Sequence, residues 1–157
     1  MHKEIRDFLS LQAKVSGAFN FFINGMAASL IYHKADTVPT DMVSLVIDLT
    51  LTCLFTFMIN ALFCSANLKS CKLAGILPGR NKLFKFLSRL FRKPLLFGAV
   101  IGFAASAALF LLVAPIFAFL GLNTLPFGVY ITLKVLFCAP LGGAATLLEL
   151  YSGMCRA

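Results

Sequence analysis

The chain has 157 residues, of which 60% are hydrophobic and only 13% are charged, and its formal net charge is +8. So few polar side chains cannot cover the surface of a water-soluble domain, and the composition therefore predicts an integral membrane protein. The basic excess is not accompanied by a nucleic-acid-binding motif, so we expect no nucleic-acid partner.

Four stretches reach the length of roughly 17–25 apolar residues that a membrane-crossing helix needs. They cover approximately residues 15–31, 42–63, 95–120 and 127–148. Short connections join the first two and the last two spans, whereas residues 66–94 form a long basic connection between the pairs. The sequence thus predicts one all-α membrane domain over residues 1–157, a four-helix bundle built from two helical hairpins.

The first stretch also has the outline of a signal peptide, with a basic start and an apolar run that ends in small residues. Lys14, Asn20 and Asn24 interrupt that run. Removing it would leave three spans and would put the basic loops on inconsistent sides of the membrane. We therefore assign it as the first helix.

Orientation follows from the distribution of the 14 Lys and Arg residues. Most lie in the N-terminal arm and in residues 66–94, whereas the two short connections contain Lys34 alone. Because basic loops remain on the cytoplasmic side, both termini and the central connection are expected there. We predict a multi-pass protein of the plasma membrane, which in a bacterium is the inner membrane.

Two charges lie inside the predicted spans. An acid or base near the centre of a membrane helix costs about 2.5–3.5 kcal/mol when it is unpaired, so Asp48 and Lys134 should turn away from lipid. Asp48 follows Pro39 by nine residues and Lys134 follows Pro126 by eight. At 1.5 Å per residue, both charges should lie roughly 12 Å below the outer surface, at a level that Asn24 also reaches.

These charges share helix faces with further polar residues spaced four apart, which places them on one side of each helix. The candidate residues for binding an ion or small solute are Asn20, Asn24, Asp48, Thr52, Asn60 and Lys134. A structural ion pair that fixes helix register explains Asp48 and Lys134 equally simply, and both alternatives stay open. Glu149 lies near the cytoplasmic end of the fourth span, where we expect it to reach headgroups or a basic loop residue.

Small residues recur at the same spacing on the third and fourth spans. Such residues let two helix backbones approach closely in lipid, where hydrophobic burial does not drive helices together. The candidate helix-packing positions are Gly98, Gly102, Ser106 and Gly142.

Residues 81–93 read NKLFKFLSRLFRK, in which basic side chains recur every three or four positions among Leu and Phe. This pattern predicts an amphipathic helix that lies in the cytoplasmic interface and ends before Pro94. Anionic lipid headgroups are its expected partners. The candidate headgroup-binding residues are Lys82, Lys85, Arg89, Arg92 and Lys93. Alternatively, these basic residues only keep the connection on the cytoplasmic side of the membrane.

The sequence nominates no catalytic set, nucleotide-binding loop or metal motif, so we expect neither an enzyme nor a cofactor. The five cysteines lie within spans or on the cytoplasmic side, where disulfides are rare.

Two functions remain. The favoured one is a small transporter or channel for an ion or small solute, acting as a homo-oligomer around the polar layer. The alternative is an accessory subunit or lipid-binding scaffold whose small-residue ridges engage a membrane partner. Four spans with one intramembrane carboxylate resemble the small multidrug-resistance transporters in outline. Those proteins place a glutamate in the first helix and have a shorter central loop, so none of their residues or substrates transfers to this chain.

Overall fold

A computed structural model describes residues 3–77 and 81–155. Within these residues the chain forms five helices and two short strands. The elements are α1 (Lys3–Tyr32), β1 (Thr37–Pro39), α2 (Met42–Ser70), α3 (Lys82–Phe91), α4 (Pro94–Phe119), β2 (Thr124–Pro126) and α5 (Phe127–Met154). α1, α2, α4 and α5 are long and apolar enough to cross a membrane.

Three of these helices extend further than the apolar stretches predicted. α1 begins at Lys3 rather than near residue 15, α2 continues to Ser70 rather than 63, and α5 continues to Met154 rather than 148. The hydrophobic pattern marks only the part of a helix that suits lipid. Backbone hydrogen bonding continues into polar sequence where no Pro or Gly stops it.

α2 begins at a capped turn. Asp41 accepts hydrogen bonds at Oδ1 from the backbone N–H groups of Val43 and Ser44, at 3.0 and 3.2 Å, and at Oδ2 from the Ser44 hydroxyl. These bonds favour the charged carboxylate and, led by the Ser44 hydroxyl, lower the pKa of Asp41. The cap fixes where the second membrane helix starts.

The two short connections pair with each other. β1 and β2 run antiparallel, with Thr37 opposite Pro126, Val38 opposite Leu125 and Pro39 opposite Thr124. Val38 and Leu125 are buried at the centre of this ribbon. We call this end of the bundle the ribbon end and the opposite end, where α3 lies, the α3 end.

The helices of each hairpin pack mainly against helices of the other hairpin. α1 packs mainly on α5 and α4 mainly on α2, while α2 and α5 contact each other at the centre. The consecutive helices α1 and α2 touch only slightly. The ribbon joins the two connections side by side. The two helices of each hairpin are therefore separated, and each packs against a helix of the other hairpin.

The contact between α2 and α4 depends on small residues. A Cβ on Gly98 would lie 2.5 Å from Met58 Cα, and a Cβ on Gly102 would lie 3.1 Å from Leu54 Cα. Ser106 is buried and its hydroxyl donates to Phe103 O in its own helix. We call this contact the glycine seam. It joins two helices of the same chain, so these residues do not form a free ridge for a partner.

α3 is shorter than the predicted helix over residues 81–93 and is partly buried in the bundle. Leu87 and Phe91 are buried, and Phe91 packs edge-on against Phe97 of α4 at a centroid distance of 5.2 Å. Leu83 and Phe86 remain exposed. Part of the apolar face of α3 therefore packs into the protein core. The five basic side chains at residues 82, 85, 89, 92 and 93 are exposed.

Candidate functional site

An acid and a base from separate membrane-length helices meet in the ribbon half of the bundle. Lys134 of α5 donates a hydrogen bond from Nζ to Oδ1 of Asp48 in α2. The Lys134 side chain is 12% exposed and the Asp48 side chain 29%. The expected meeting of these two charges is therefore present in the structure.

Tyr130 completes the surroundings of the ammonium group. The Lys134 Nζ donates to the Tyr130 hydroxyl at 3.1 Å and lies 5.5 Å from the centre of its ring. Tyr130 is buried and packs edge-on against Tyr32 of α1. Neither tyrosine was among the candidate residues predicted from the sequence. The four-residue spacing between Tyr130 and Lys134, which puts both on one helix face, is the signal that indicates the contact of Tyr130.

The ribbon sets the two charges at one level. Its register holds Pro39 opposite Thr124, so α2 and α5 start at similar heights. Asp48 and Lys134 then lie about two turns along their helices, since one turn advances roughly 5.4 Å. The paired connections, which sequence reasoning did not predict, are the physical cause of the matching depth.

Two open cavities meet at this ion pair. One, of about 230 Å³, lies among α2, α4 and α5 and is walled mainly by apolar side chains such as Leu45, Phe117 and Phe137. The other, of about 450 Å³, lies among α1, α2 and α5. Both are lined by Asp48, Thr52 and Lys134. The pair therefore forms part of the partition between two spaces.

The other predicted polar residues divide into two groups. Asn24 lines the larger cavity together with the ion pair, and its Nδ2 donates to Asn20 O in the same helix. Asn20 and Asn60 lie deeper and are buried. Of the six predicted residues, the structure thus brings Asn24, Asp48, Thr52 and Lys134 together at the cavities.

Asn20 and Asn60 belong to a packed polar contact among α1, α2 and α5. The Thr56 hydroxyl donates to Asn20 Oδ1 at 3.1 Å, and Asn60 Nδ2 donates to Gly142 O at 3.3 Å. Ser16 also donates to Gly142 O. A side chain on Gly142 would overlap Asn20. We call this contact the amide seam.

Glu149 does not occupy the interfacial position that we expected. Its exposed fraction is 0%, and neither carboxylate oxygen has a hydrogen-bond partner within the described residues. The Cys64 thiol of α2, a weak donor, lies beside the carboxyl group. The expectation failed because the extension of α5 to Met154 carries Glu149 along a buried face, where it packs inward instead of reaching headgroups.

Comparison of the chain with protein-family models, curated proteins and solved structures found no match.

Proposed function

We propose that the protein is a small multi-pass membrane transporter or channel for an ion or small solute, with Asp48 and Lys134 as the central residues of its pathway. The observation that carries the proposal is the position of this pair between two cavities, within a layer that also contains Asn24 and Thr52. Intramembrane charges are costly, and a purely structural contact could use apolar side chains.

The chemistry suits a solute that competes for one member of the pair. A cation that binds the Asp48 carboxylate would compete with Lys134, and an anion that binds the Lys134 ammonium group would compete with Asp48, so either would weaken the bond between the two residues. Because the Asp48 side chain is more exposed than that of Lys134, we favour a cation. Separation of the pair would then join the two cavities.

The proposed topology has both termini and α3 in the cytoplasm and the ribbon end outside, as the basic residues indicate. The proposed location is the plasma membrane, in a bacterium the inner membrane. The cavities are small compared with an aqueous pore, so we propose that a complete pathway forms between protomers of a homo-oligomer. Crosslinking in native membranes would establish the number of copies.

The test is uptake of monovalent cations into proteoliposomes by Asp48→Asn and Lys134→Met variants. We expect both variants to fold and both to lose uptake. Asp36→Asn and Lys34→Met are matched controls, because they remove the same charges from exposed positions at the ribbon end. The controls should retain uptake.

A structural ion pair would behave differently. If both single variants failed to fold and the Asp48→Asn, Lys134→Met double variant folded again, the pair would hold the helices in register and the transport proposal would fail. Loss of uptake in the controls would equally contradict it, since the effect would then reflect net charge rather than the site.

A lipid-binding scaffold remains the second candidate, supported by one observation. All five predicted headgroup-binding side chains on and after α3 are exposed at one end of the bundle. Binding of the detergent-purified protein to vesicles that contain anionic lipid should weaken when these residues are neutralised. Transport that survives this neutralisation would show that lipid binding is not the main function.

A further inference from the structure

Three buried oxygen atoms at the α3 end have no hydrogen-bond partner within the described residues. They are both carboxylate oxygens of Glu149 and the hydroxyl of Thr146, one turn earlier in α5. Thr146 is nearly fully buried and Glu149 fully so. Buried polar atoms normally have hydrogen-bond partners. Such a cluster therefore indicates that a proton or a hydrogen-bond donor binds there.

In the part of the chain that the structure describes, no cation is paired with the Glu149 carboxyl group. Within the described residues, the Lys, Arg, Asp and Glu side chains of α1 and α3 are all exposed, as is Lys69 of α2. α4 contains no ionisable residue. The group that faces Glu149 is the Cys64 thiol of α2. An isolated buried carboxylate is strongly unfavourable, whereas a carboxylic acid is neutral and can donate a hydrogen bond.

A route to this carboxyl group runs through a third cavity. A space of about 210 Å³ among α1, α2 and α5 is lined by Thr146 and Cys64, together with the amide side chains of Gln12, Asn60 and Asn67. The Cys64 thiol also lies beside the Glu149 carboxyl group, and Thr146 is one turn before Glu149 in α5. Thr146 and Cys64 thus stand between the cavity and the carboxyl group.

We infer that Glu149 is a proton-binding site within the membrane domain, which holds a proton as a carboxylic acid and exchanges it with the cavity through Cys64 and Thr146. The step is a simple transfer: the acid gives its proton to water in the cavity, and the carboxylate later takes one back. This inference rests on Glu149 and its neighbours and does not depend on the proposed role of Asp48 and Lys134.

The composition of the chain makes the protonation state directly measurable. Glu4 and Glu149 are the two glutamates in the sequence, so protein labelled with ¹³C at the glutamate carboxyl carbon gives two carboxyl signals. Glu4 is exposed in the first turn of α1 and acts as an internal reference. The measurement is solid-state NMR of the full chain in lipid bilayers at neutral pH.

We expect one signal at the shift of an ionised carboxylate, from Glu4, and one at the shift of a protonated carboxyl. The second signal should disappear in Glu149→Gln. Two ionised signals would overturn the inference. If the Glu149 signal were ionised and moved when sodium replaced potassium, the site would bind a metal cation instead, which would also overturn it.

Stability supplies a readout that is independent of the spectroscopy. Gln is neutral and close in shape to a protonated Glu, so Glu149→Gln should leave the unfolding temperature unchanged. Glu149→Lys places an unbalanced charge at the same position and should abolish folding. A large loss of stability in Glu149→Gln would show that the position requires a charge, and the inference would fail.

The exchange route is tested by infrared spectroscopy after transfer of the labelled protein into D₂O. The carboxyl stretch of Glu149 should shift as deuterium replaces the proton. Thr146→Val removes the hydroxyl at nearly constant volume and should slow this shift several-fold, whereas Thr132→Val, on the exposed face of α5, should not. Equal rates in both variants would contradict the proposed route.

Discussion

α2 is held on two sides by contacts of different chemistry. Toward α4 lies the glycine seam, where backbone approaches backbone and Ser106 satisfies its hydroxyl within its own helix. Toward α1 and α5 lies the amide seam, where Thr56, Asn20 and Asn60 form hydrogen bonds between helices. The glycine seam requires small side chains, whereas the amide seam requires side chains that can donate or accept particular hydrogen bonds.

This difference separates packing from candidate chemistry. Asp48 and Lys134 lie near one end of the contact between α2 and α5, and Glu149 lies near the other, with the amide seam between them. At the glycine seam, the atoms nearest to a Cβ on Gly98 or Gly102 belong instead to Cys53, Leu54, Phe57 and Met58. α4 packs mainly on α2 through the glycine seam, so substitutions on the two sides of α2 should have different consequences.

The largest expected effect comes from filling the glycine seam. In Gly98→Val the new side chain meets the backbone of Met58, which cannot rotate away as a side chain could. Overpacking typically costs about 1–3 kcal/mol, and we expect at least the upper part of this range. Loss of a monodisperse protein in detergent and a lower unfolding temperature would show it.

Gly128→Val is the matched control for this substitution. A Cβ at Gly128 meets nothing within 4 Å, although the residue also lies in a membrane-length helix. It should leave stability almost unchanged. If Gly98→Val were as well tolerated as Gly128→Val, the close approach of α2 and α4 would be wrong.

Sequence patterns predicted the parts of this architecture that depend on local periodicity. The four-residue spacing of Gly98 and Gly102 indicated a close helix contact, and the position of two charges in apolar stretches indicated that they would face each other. The number of membrane-length helices followed from apolar length alone. These features are encoded within single segments.

Features that depend on partners distant in sequence were missed. Val38 and Leu125 form a ribbon only because two connections meet, and three-residue segments are too short to show a strand pattern. Glu149 is fully buried, with Cys64 of α2 beside its carboxyl group. A position near a helix end therefore suggested exposure, although tertiary packing encloses the side chain.

The next effect in size comes from the amide seam. Asn20→Ala removes the acceptor of the Thr56 hydroxyl and leaves space beside Gly142. A buried donor without its partner costs about 1–3 kcal/mol, so we expect a moderate decrease in stability without loss of folding. The decrease in stability is measured by unfolding the protein in mixed micelles that contain a rising fraction of denaturing detergent. Unchanged stability would show that the hydrogen bond contributes nothing.

The smallest effect isolates a single interhelical hydrogen bond. Thr56→Val deletes the hydroxyl that donates to Asn20 Oδ1, and such bonds contribute about 0.6 kcal/mol on average in membrane proteins. Thr132→Val is the control, because the Thr132 hydroxyl donates to Gly128 O within its own helix and joins no second helix. In a double-mutant cycle, Thr56→Val should cost less in the Asn20→Ala background than in the natural chain, since its acceptor is already absent. Equal costs in both backgrounds would mean that the two side chains act independently, and that the amide seam resembles the glycine seam in depending on shape alone.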